Sequence, residues 1–321
     1  MSIFRPRKPL TPRQRMFNRV VLILGLVPML WLIAMLVGGH WMRHRMEEYE
    51  QSGQMARWLE ANNSLRIPVE GDDAVLLLHG FADGSSVWQE MAPVFAEEGF
   101  AVDAPLMSLF DLDSMRKRID RRIASLRDGN PDRRVWLVGH SLGAAYAFDA
   151  ALRPENRIAG VVMLAPFLDP APRRTLGLTP RQWHRVWERV FPGIVFIDRR
   201  LLPGHSEADG PGTAGFRTRP FMVSWDYENL FETADAIRSR AADWHGPLRM
   251  ALAQDDTSVD NAAAERFFHD ATNATPAQFA MHPGPHDLPL SDSAKLLAHQ
   301  ICQFMRDSAH APASPSPLCN L

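Results

Sequence analysis

Short apolar stretches alternate with amphipathic stretches from residue 73 to about residue 305. The apolar stretches are rich in Val, Leu and Ala, which is typical of strands buried on both faces of a sheet. They predict strands at residues 75–78, 100–104, 135–138, 160–164, 248–253 and 277–281. Amphipathic stretches at 85–98 and 113–127 predict helices between them. This alternation predicts an α/β fold with a mostly parallel central sheet flanked by helices.

The N-terminal segment follows a different pattern. Residues 1–19 carry six basic and no acidic side chains, and Val20–Val37 is an 18-residue run without charge. At about 1.5 Å per residue this run spans roughly 27 Å, enough for a bilayer core. The run is longer than a usual signal-peptide core, and "LVGGHWMRH" offers no clear cleavage site. We therefore predict a single-pass membrane anchor, with a cleaved signal or a buried core helix as alternatives.

Five parts follow from these patterns. They are a basic cytoplasmic segment (1–19), a transmembrane anchor (20–38), a linker (39–70), an α/β domain (71–308) and a disordered Ala/Pro/Ser-rich tail (309–321). The positive-inside rule places the α/β domain outside the cytoplasm, which for a bacterial inner-membrane protein is the periplasm.

An insert at about residues 169–246 interrupts the alternation within the α/β domain. One helical face of this insert carries Trp183, Val186, Trp187, Val190 and Phe191. The insert predicts a cap over one edge of the sheet, and ordinary packing of a helix on the core is the alternative.

Composition narrows the possible partners. The 35 basic and 37 acidic residues give a net charge of −2, which does not favour nucleic-acid binding. Cys302 and Cys319 are too few for a disulfide framework or a metal site, so we expect no metal. The two thiols could pair in an oxidising compartment or remain free.

A serine between two glycines stands where the strand at 135–138 ends. The stretch Gly139-His140-Ser141-Leu142-Gly143 has the G-x-S-x-G form, and the small residues that follow it predict a helix. In such a strand-to-helix corner the serine backbone is strained, and side chains at the glycine positions would collide with neighbouring elements. Ser141 is therefore the candidate nucleophile, and a structural turn with an idle serine is the alternative.

A serine hydroxyl needs a base and an acid to react near neutral pH. His286 lies in "HPGPHDLPL", directly after the last predicted strand, and therefore at the same sheet edge as Ser141. His282 is the alternative base, while His140 is expected to point away from the corner.

The candidate acids follow the strand at 248–253. Asp255 and Asp256 both lie in "LAQDDTSVD", and Asp169 is a third and more distant candidate. The chain order Ser…Asp…His is the order expected for an α/β-hydrolase.

Two backbone N–H groups could bind a developing oxyanion. "VLLLHGFADG" ends a strand at His79-Gly80-Phe81, where Gly80 lets the chain turn so that the Phe81 N–H can face the site. The Leu142 N–H, directly after the candidate nucleophile, is the second predicted donor.

Taken together, HGF, GHSLG, QDDTSV and GPHDLP resemble the monoacylglycerol-lipase and carboxylesterase branch of the α/β-hydrolase superfamily. The resemblance covers about residues 72–305 and implies an α/β-hydrolase fold with a cap. It also implies a serine esterase that needs no cofactor. The family's D-x-x-V motif matches Asp256–Val259, which selects Asp256 as the acid, and its G-x-H loop matches Gly284–His286. Two departures are "APLMSLFDLDS" in place of a "PGHG"-like loop, and Ala253 in place of a glycine.

The expected activity is hydrolysis of small-molecule carboxylic esters, with Ser141, Asp256 and His286 as catalytic residues and Phe81 and Leu142 as oxyanion donors. A peptidase, a thioesterase or an acyltransferase of the same fold remains an alternative. A catalytically silent, hydrolase-like membrane protein acting through the Trp-rich insert is a further alternative.

Overall fold

A computed structural model describes residues 11–81, 83–107, 112–190, 195–197 and 221–309. The chain forms two compact units, Met1–Met55 and Ala56–Leu321. The described helices are α1 (Pro12–Gln51), α2 (Gln54–Ala61), α3 (Ala92–Glu97), α4 (Leu112–Leu126), α5 (Leu142–Ala151), α6 (Pro180–Val190), α7 (Ser224–Arg238), α8 (Asn261–Asp270) and α9 (Ala294–Ala309). The described strands are β1 (Leu65–Ile67), β2 (Asp73–Leu78), β3 (Ala101–Ala104), β4 (Arg134–His140), β5 (Ile158–Leu164), β6 (Val195–Ile197), β7 (Phe221–Val223), β8 (Leu248–Ala253) and β9 (Ala277–His282).

The N-terminal unit consists mainly of the long helix α1. The stretch Pro12–Met42 of this helix is 31 residues long and apolar enough to cross a membrane. In its most apolar 18 residues, no side chain is buried by the rest of the protein. Large apolar side chains such as Leu22 and Leu24 are therefore exposed on its surface. This stretch is a candidate transmembrane helix by length and composition, a test that an N-terminal signal sequence also passes.

A seven-stranded sheet forms the centre of the second unit, with strand order β1-β3-β2-β4-β5-β8-β9. All neighbouring strands run parallel except β1, which is antiparallel to β3. The predicted parallel α/β architecture is thus confirmed. Because the strands are parallel, the loops that follow β2, β4, β5, β8 and β9 meet at one edge of the sheet.

The sheet separates two apolar layers. In β4, Val135 and Leu137 point into the layer covered by α4, α5, α7 and α8, whereas Trp136 and Val138 point into the layer covered by α3 and α9. This alternation follows from the period of two in a strand. Both faces of β4 are apolar because both are covered, which explains its continuous apolar sequence.

Two segments differ from the sequence prediction. The helix predicted at 85–98 is a 3₁₀ turn at Ser85–Trp88 followed by the short helix α3, with Pro93 in its first turn, where its missing N–H is tolerated. The predicted linker 39–70 includes the strand β1, which three residues are too few to reveal by periodicity. Trp58, in the same segment, is buried.

The insert lies between β5 and β8 and contains α6, the antiparallel pair of β6 and β7, and α7. Helix α7 packs against α5, where the Asn229 side chain donates a hydrogen bond of 2.8 Å to the Tyr146 hydroxyl. Phe191, predicted on the apolar face of α6, lies outside the described residues. Cys302 on α9 is a buried free thiol, and Cys319 again lies outside the described part of the chain.

Candidate active site

The corner between β4 and α5 holds Ser141 in an unusual backbone conformation. Its φ of 54° and ψ of −118° are strained for a residue with a side chain. A Cβ atom on Gly139 would lie 2.2 Å from the Gly143 carbonyl oxygen, and one on Gly143 would lie 2.0 Å from the Leu78 carbonyl oxygen. Both glycines are therefore required for the close approach of α5 to the sheet, as the sequence predicted.

Asp256 and His286 come together at the same edge of the sheet. Asp256 follows β8 and His286 follows β9, and the His286 Nδ1 lies 2.6 Å from the Asp256 Oδ2. The other carboxylate oxygen, Oδ1, accepts hydrogen bonds from the backbone N–H groups of Ser258 (2.8 Å) and Val259 (3.0 Å). These two hydrogen bonds within the local turn fix the orientation of the carboxylate, so that its Oδ2 atom faces the histidine.

The electrostatics of this pair favour an ionised Asp256. Burial opposes ionisation, since the side chain has no exposed surface. The hydrogen bond and charge of His286, together with the two backbone N–H groups, outweigh burial and lower the pKa of Asp256. A carboxylate therefore faces Nδ1, which orients the other ring nitrogen, Nε2, as a hydrogen-bond acceptor when the ring is neutral.

The alternative residues occupy other environments. The Asp255 side chain is exposed, and its backbone N–H donates to the Gly284 carbonyl oxygen. Asp169 forms a salt bridge of 2.8 Å with Arg181 on α6. His282 is half-buried at the end of β9, and burial lowers its pKa. None of these three makes a hydrogen bond to the pair formed by Asp256 and its histidine.

The predicted oxyanion donors are available. The Leu142 N–H is at the first position of α5, where no intrahelical acceptor exists. Neither this N–H nor that of Phe81 donates a hydrogen bond to another described residue. The Phe81 ring packs against Tyr227 of the insert at a centroid distance of 4.9 Å.

The Ser141 hydroxyl makes no hydrogen bond to a described residue, His286 included. Its main chain is held by the Leu164 carbonyl oxygen and the Phe167 N–H, at 2.9 and 3.0 Å respectively. The structure thus brings Asp256 into direct contact with the histidine, and places the serine at the same edge without that contact. Catalytic hydrogen bonds of this kind often tighten only when substrate is bound.

A cavity of about 450 Å³ opens beside this edge, between the insert and the loop that carries Asp256. Its walls are mainly apolar and aromatic, and include Phe167, Trp183, Trp187, Tyr227, Leu230 and Phe231. The walls do not include Ser141, but Phe167 donates its N–H to the Ser141 carbonyl oxygen, and Tyr227 contacts Phe81. The cavity is therefore adjacent to the candidate nucleophile and offers space for an apolar group.

His140 is the residue that the sequence interpretation placed incorrectly. Its ring does not point away from the site but packs beside the His286 ring, with centroids 4.8 Å apart. Together with Asp287 these two histidines form a group whose polar atoms lie within 4.8 Å of one another. The Nδ1 atom of His286 and the Nε2 atom of His140 already face protein partners, so this group does not resemble a free metal site.

The sequence model of the α/β hydrolase fold family matches residues 73–292, which is more than half of the chain. The chain belongs to the α/β hydrolase fold family. The matched segment of this hydrolase contains the GHSLG corner, the Asp256 loop and the His286 loop.

Several curated proteins are similar to parts of this hydrolase. Epoxide hydrolase A of Mycobacterium tuberculosis is 28% identical over 148 residues, which is 43% of this chain and 44% of that protein. The 2-succinyl-6-hydroxy-2,4-cyclohexadiene-1-carboxylate synthase of Escherichia coli is 31% identical over 134 residues, or 39% of this chain and 52% of the synthase. The chain thus spans about half the length of the curated relatives that it matches.

Solved structures share the fold at lower identity. The monoacylglycerol lipase of Paleococcus ferrophilus is similar with a TM-score of 0.61 and 17% identity, covering 76% of this chain and 98% of the lipase. A soluble variant of monoglyceride lipase from Saccharomyces cerevisiae has a TM-score of 0.62 and 14% identity, covering 76% and 90% of the two chains. At these identities the likeness shows the fold of this hydrolase.

Proposed function

We propose that this protein is a serine hydrolase of small-molecule carboxylic esters, with Ser141 as nucleophile, His286 as base and Asp256 as the residue that orients the base. The single observation that carries this proposal is the part-buried 2.6 Å contact between Asp256 and His286, at the sheet edge where Ser141 occupies a strained corner. A general base needs such an orienting partner, and a strained strand-to-helix turn places the nucleophile at the end of the sheet where the loops converge.

The reaction proceeds in two halves. The Ser141 oxygen attacks the ester carbonyl while the Nε2 atom of His286 accepts the hydroxyl proton, and the same proton then goes to the leaving alcohol. The Phe81 and Leu142 N–H groups donate to the oxyanion, and each such donor contributes about 3 kcal/mol to the transition state. Water then attacks the acyl-enzyme while His286 accepts its proton, the bond to the Ser141 oxygen breaks, and His286 returns the proton to that oxygen as the acid leaves.

Serine chemistry favours acyl substrates over epoxides, although two of the curated relatives are named epoxide hydrolases. If Ser141 opened an epoxide ring, the product would be an ether between the serine and the substrate. Water does not cleave an ether under these conditions, so the enzyme would be trapped after one turnover. An ester instead leaves an acyl-enzyme, which His286 and water can hydrolyse.

The adjacent cavity suggests which esters fit. Its mainly apolar and aromatic walls would bury an apolar acyl or alcohol group, such as the chain of a lipid ester. A panel of p-nitrophenyl esters and monoacylglycerols tests this, with the chain-length preference as the readout.

Substitution of the nucleophile tests the proposal as a whole. Ser141→Ala should abolish fluorophosphonate labelling and nearly all ester hydrolysis while the protein remains folded. Ser125→Ala on α4 is the matched control and should label and hydrolyse as the parent does. Hydrolysis by Ser141→Ala within tenfold of the parent would refute the assignment.

We further propose that α1 retains the protein in a membrane, with the hydrolase unit outside the cytoplasm. The length and exposure of Pro12–Met42 support membrane retention, and the basic residues of the N-terminal segment support the orientation. A reporter fused after Leu321 should be active outside the cytoplasm, and carbonate washing should leave the protein in the membrane. Release of a shortened soluble product would indicate a cleaved signal instead.

A further inference from the structure

A fully buried histidine lies between the two loops that the proposed mechanism uses. The His140 side chain has no exposed surface. Its Nε2 atom lies 3.1 Å from the His286 carbonyl oxygen, and its Nδ1 atom lies 3.6 Å from the Asp83 Oδ2. Asp83 belongs to the loop that begins at Gly80-Phe81, which supplies one proposed oxyanion donor. His140 therefore contacts both the oxyanion loop and the base loop.

The packing around Gly80 shows how closely these groups converge. A Cβ atom built on Gly80 would lie 2.6 Å from the Asp83 Oδ2, 3.1 Å from the Ser141 Cβ and 3.2 Å from the His140 Nδ1. The carboxylate, the imidazole and the candidate nucleophile thus meet at one position, where a side chain would displace the Asp83 carboxylate.

The surroundings of His140 favour two ring protons. One is donated in the hydrogen bond to the His286 carbonyl, and the other lies on Nδ1, which makes no hydrogen bond to a described residue but is at ion-pair distance from Asp83. A carbonyl oxygen only accepts hydrogen bonds, so the Nε2 atom facing the His286 carbonyl must carry a proton. A neutral ring would then turn the Nδ1 lone pair toward the Asp83 carboxylate, whose Oδ2 atom lies 3.6 Å away. The imidazolium places an N–H there instead, and compensates the charge of Asp83.

The titratable groups around His140 agree with this assignment. Burial disfavours the charged ring, but the Asp83 and Asp287 carboxylates and the His286 carbonyl outweigh burial and raise the pKa of His140. The other titratable neighbours of His140 are two imidazoles. The His286 ring lies 4.8 Å away between centroids. The repulsion between His79 and His140 is the smallest of the effects on the pKa of His79.

His79 provides an internal comparison. Its Nδ1 atom donates to the Gly80 carbonyl oxygen at 2.9 Å, and its Nε2 atom accepts from the Met107 N–H at 2.8 Å. These contacts require one proton, and burial lowers the pKa of His79. The pKa values of these two neighbouring buried histidines are thus shifted in opposite directions by their surroundings.

We propose that His140 is a positioning residue whose imidazolium joins Asp83 on the oxyanion loop to the carbonyl of His286 on the base loop. It maintains the separation between the Phe81 N–H and the His286 ring, on which attack and proton transfer both depend. This inference rests on the proposed esterase function, and it concerns how the oxyanion donor and the base of that site are held in position.

The test measures kcat and KM for p-nitrophenyl butyrate, using the full-length protein in detergent with active sites counted by fluorophosphonate titration. His140→Ala should lower kcat by about 100-fold, the size of effect that a misplacement of about 1 Å causes, and should leave KM nearly unchanged. His140→Gln keeps an N–H toward the His286 carbonyl and should recover at least tenfold of this loss. His282→Gln, at the same sheet edge, is the matched control and should behave as the parent.

The pH profile separates positioning from a general effect on folding. A raised folded-state pKa means that the charged bridge is complete below the ordinary value of 6.5 and is lost as pH rises through the higher folded value. The kcat of the parent should therefore fall at alkaline pH, while His140→Gln, which does not titrate, should lack this fall.

A double-mutant cycle completes the test. Asp83→Asn combined with His140→Gln should be no slower than the slower single variant, because both substitutions break the same bridge. Additive losses, equal losses for the alanine and glutamine variants, or an unchanged pH profile would each overturn the inference. If Ser141→Ala stays active, the esterase proposal fails; if only the His140 variants behave as the parent, the positioning role alone fails.

Discussion

Replacing Asp256 by asparagine reverses one hydrogen bond while leaving the surrounding turn intact. The Oδ1 atom accepts from the backbone N–H groups of Ser258 and Val259, and the Oδ2 atom faces the His286 Nδ1 at 2.6 Å. In Asp256→Asn the amide oxygen can keep both backbone hydrogen bonds. The amide nitrogen must then replace Oδ2 and face the histidine.

The opposite orientation of the amide is unfavourable. It would direct the NH₂ group toward two backbone N–H donors and lose two hydrogen bonds, each worth about 1 kcal/mol. The amide therefore donates to Nδ1 of His286, and the ring proton moves to Nε2. An Nε2 atom that carries a proton cannot accept one from Ser141.

Loss of the correct tautomer should lower kcat by about 10⁴-fold, the effect known for the corresponding substitution in a serine protease triad. This factor corresponds to about 5 kcal/mol of activation free energy. KM should change little, because the substitution does not touch the cavity walls.

The assay compares kcat for p-nitrophenyl butyrate at pH 8 among three variants. Asp255→Asn is the matched control, because its exposed side chain makes no contact with the histidine, and it should retain parental activity. Asp256→Ala should lose activity and also stability, since the two backbone N–H groups then lose their acceptor. Asp256→Asn should unfold at nearly the parental denaturant concentration at pH 8.

Two outcomes would refute this reasoning. A kcat for Asp256→Asn within tenfold of the parent would show that the carboxylate does not set the tautomer. A larger loss for Asp255→Asn than for Asp256→Asn would identify Asp255 as the acid.

Three further predictions concern the cavity, the corner and the alkaline stability. Phe231→Ala enlarges the cavity and should shift the preference among p-nitrophenyl esters toward longer acyl chains; an unchanged ratio of rates would refute this. Gly143→Ala should prevent folding, because its Cβ would lie 2.0 Å from the Leu78 carbonyl oxygen, and a soluble, active variant would contradict the expectation. Burial raises the pKa of both Cys302 and Tyr146 to about 12, so both stay protonated in the folded state. The free energy of unfolding should therefore fall between pH 9 and 12, and less steeply in Cys302→Ala.

Local sequence was sufficient to predict the fold class and most of the strands. A strand buried on both faces requires a continuous apolar run, and such runs at 135–138 and 248–253 correspond to β4 and β8. It was not sufficient for β1, where only the antiparallel pairing of Leu65 with Ala104 makes a strand of three residues. The helix predicted at 85–98 was too long, because hydrophobic periodicity takes no account of Pro93, which is tolerated only in the first turn of a helix.

The sequence by itself determined the residue types of the candidate site and the edge of the sheet on which they lie. Ser141, Asp256 and His286 each follow a predicted strand, and parallel strands end at a common edge, so their proximity follows from topology. Only the tertiary structure decided which neighbours they have. The contact of His140 with the His286 carbonyl joins residues 146 positions apart, and the partner of Asp169 is an arginine of the insert. Such contacts depend on side-chain directions at loop ends, which no periodicity encodes, and this is why a histidine expected to point away lies beside the base.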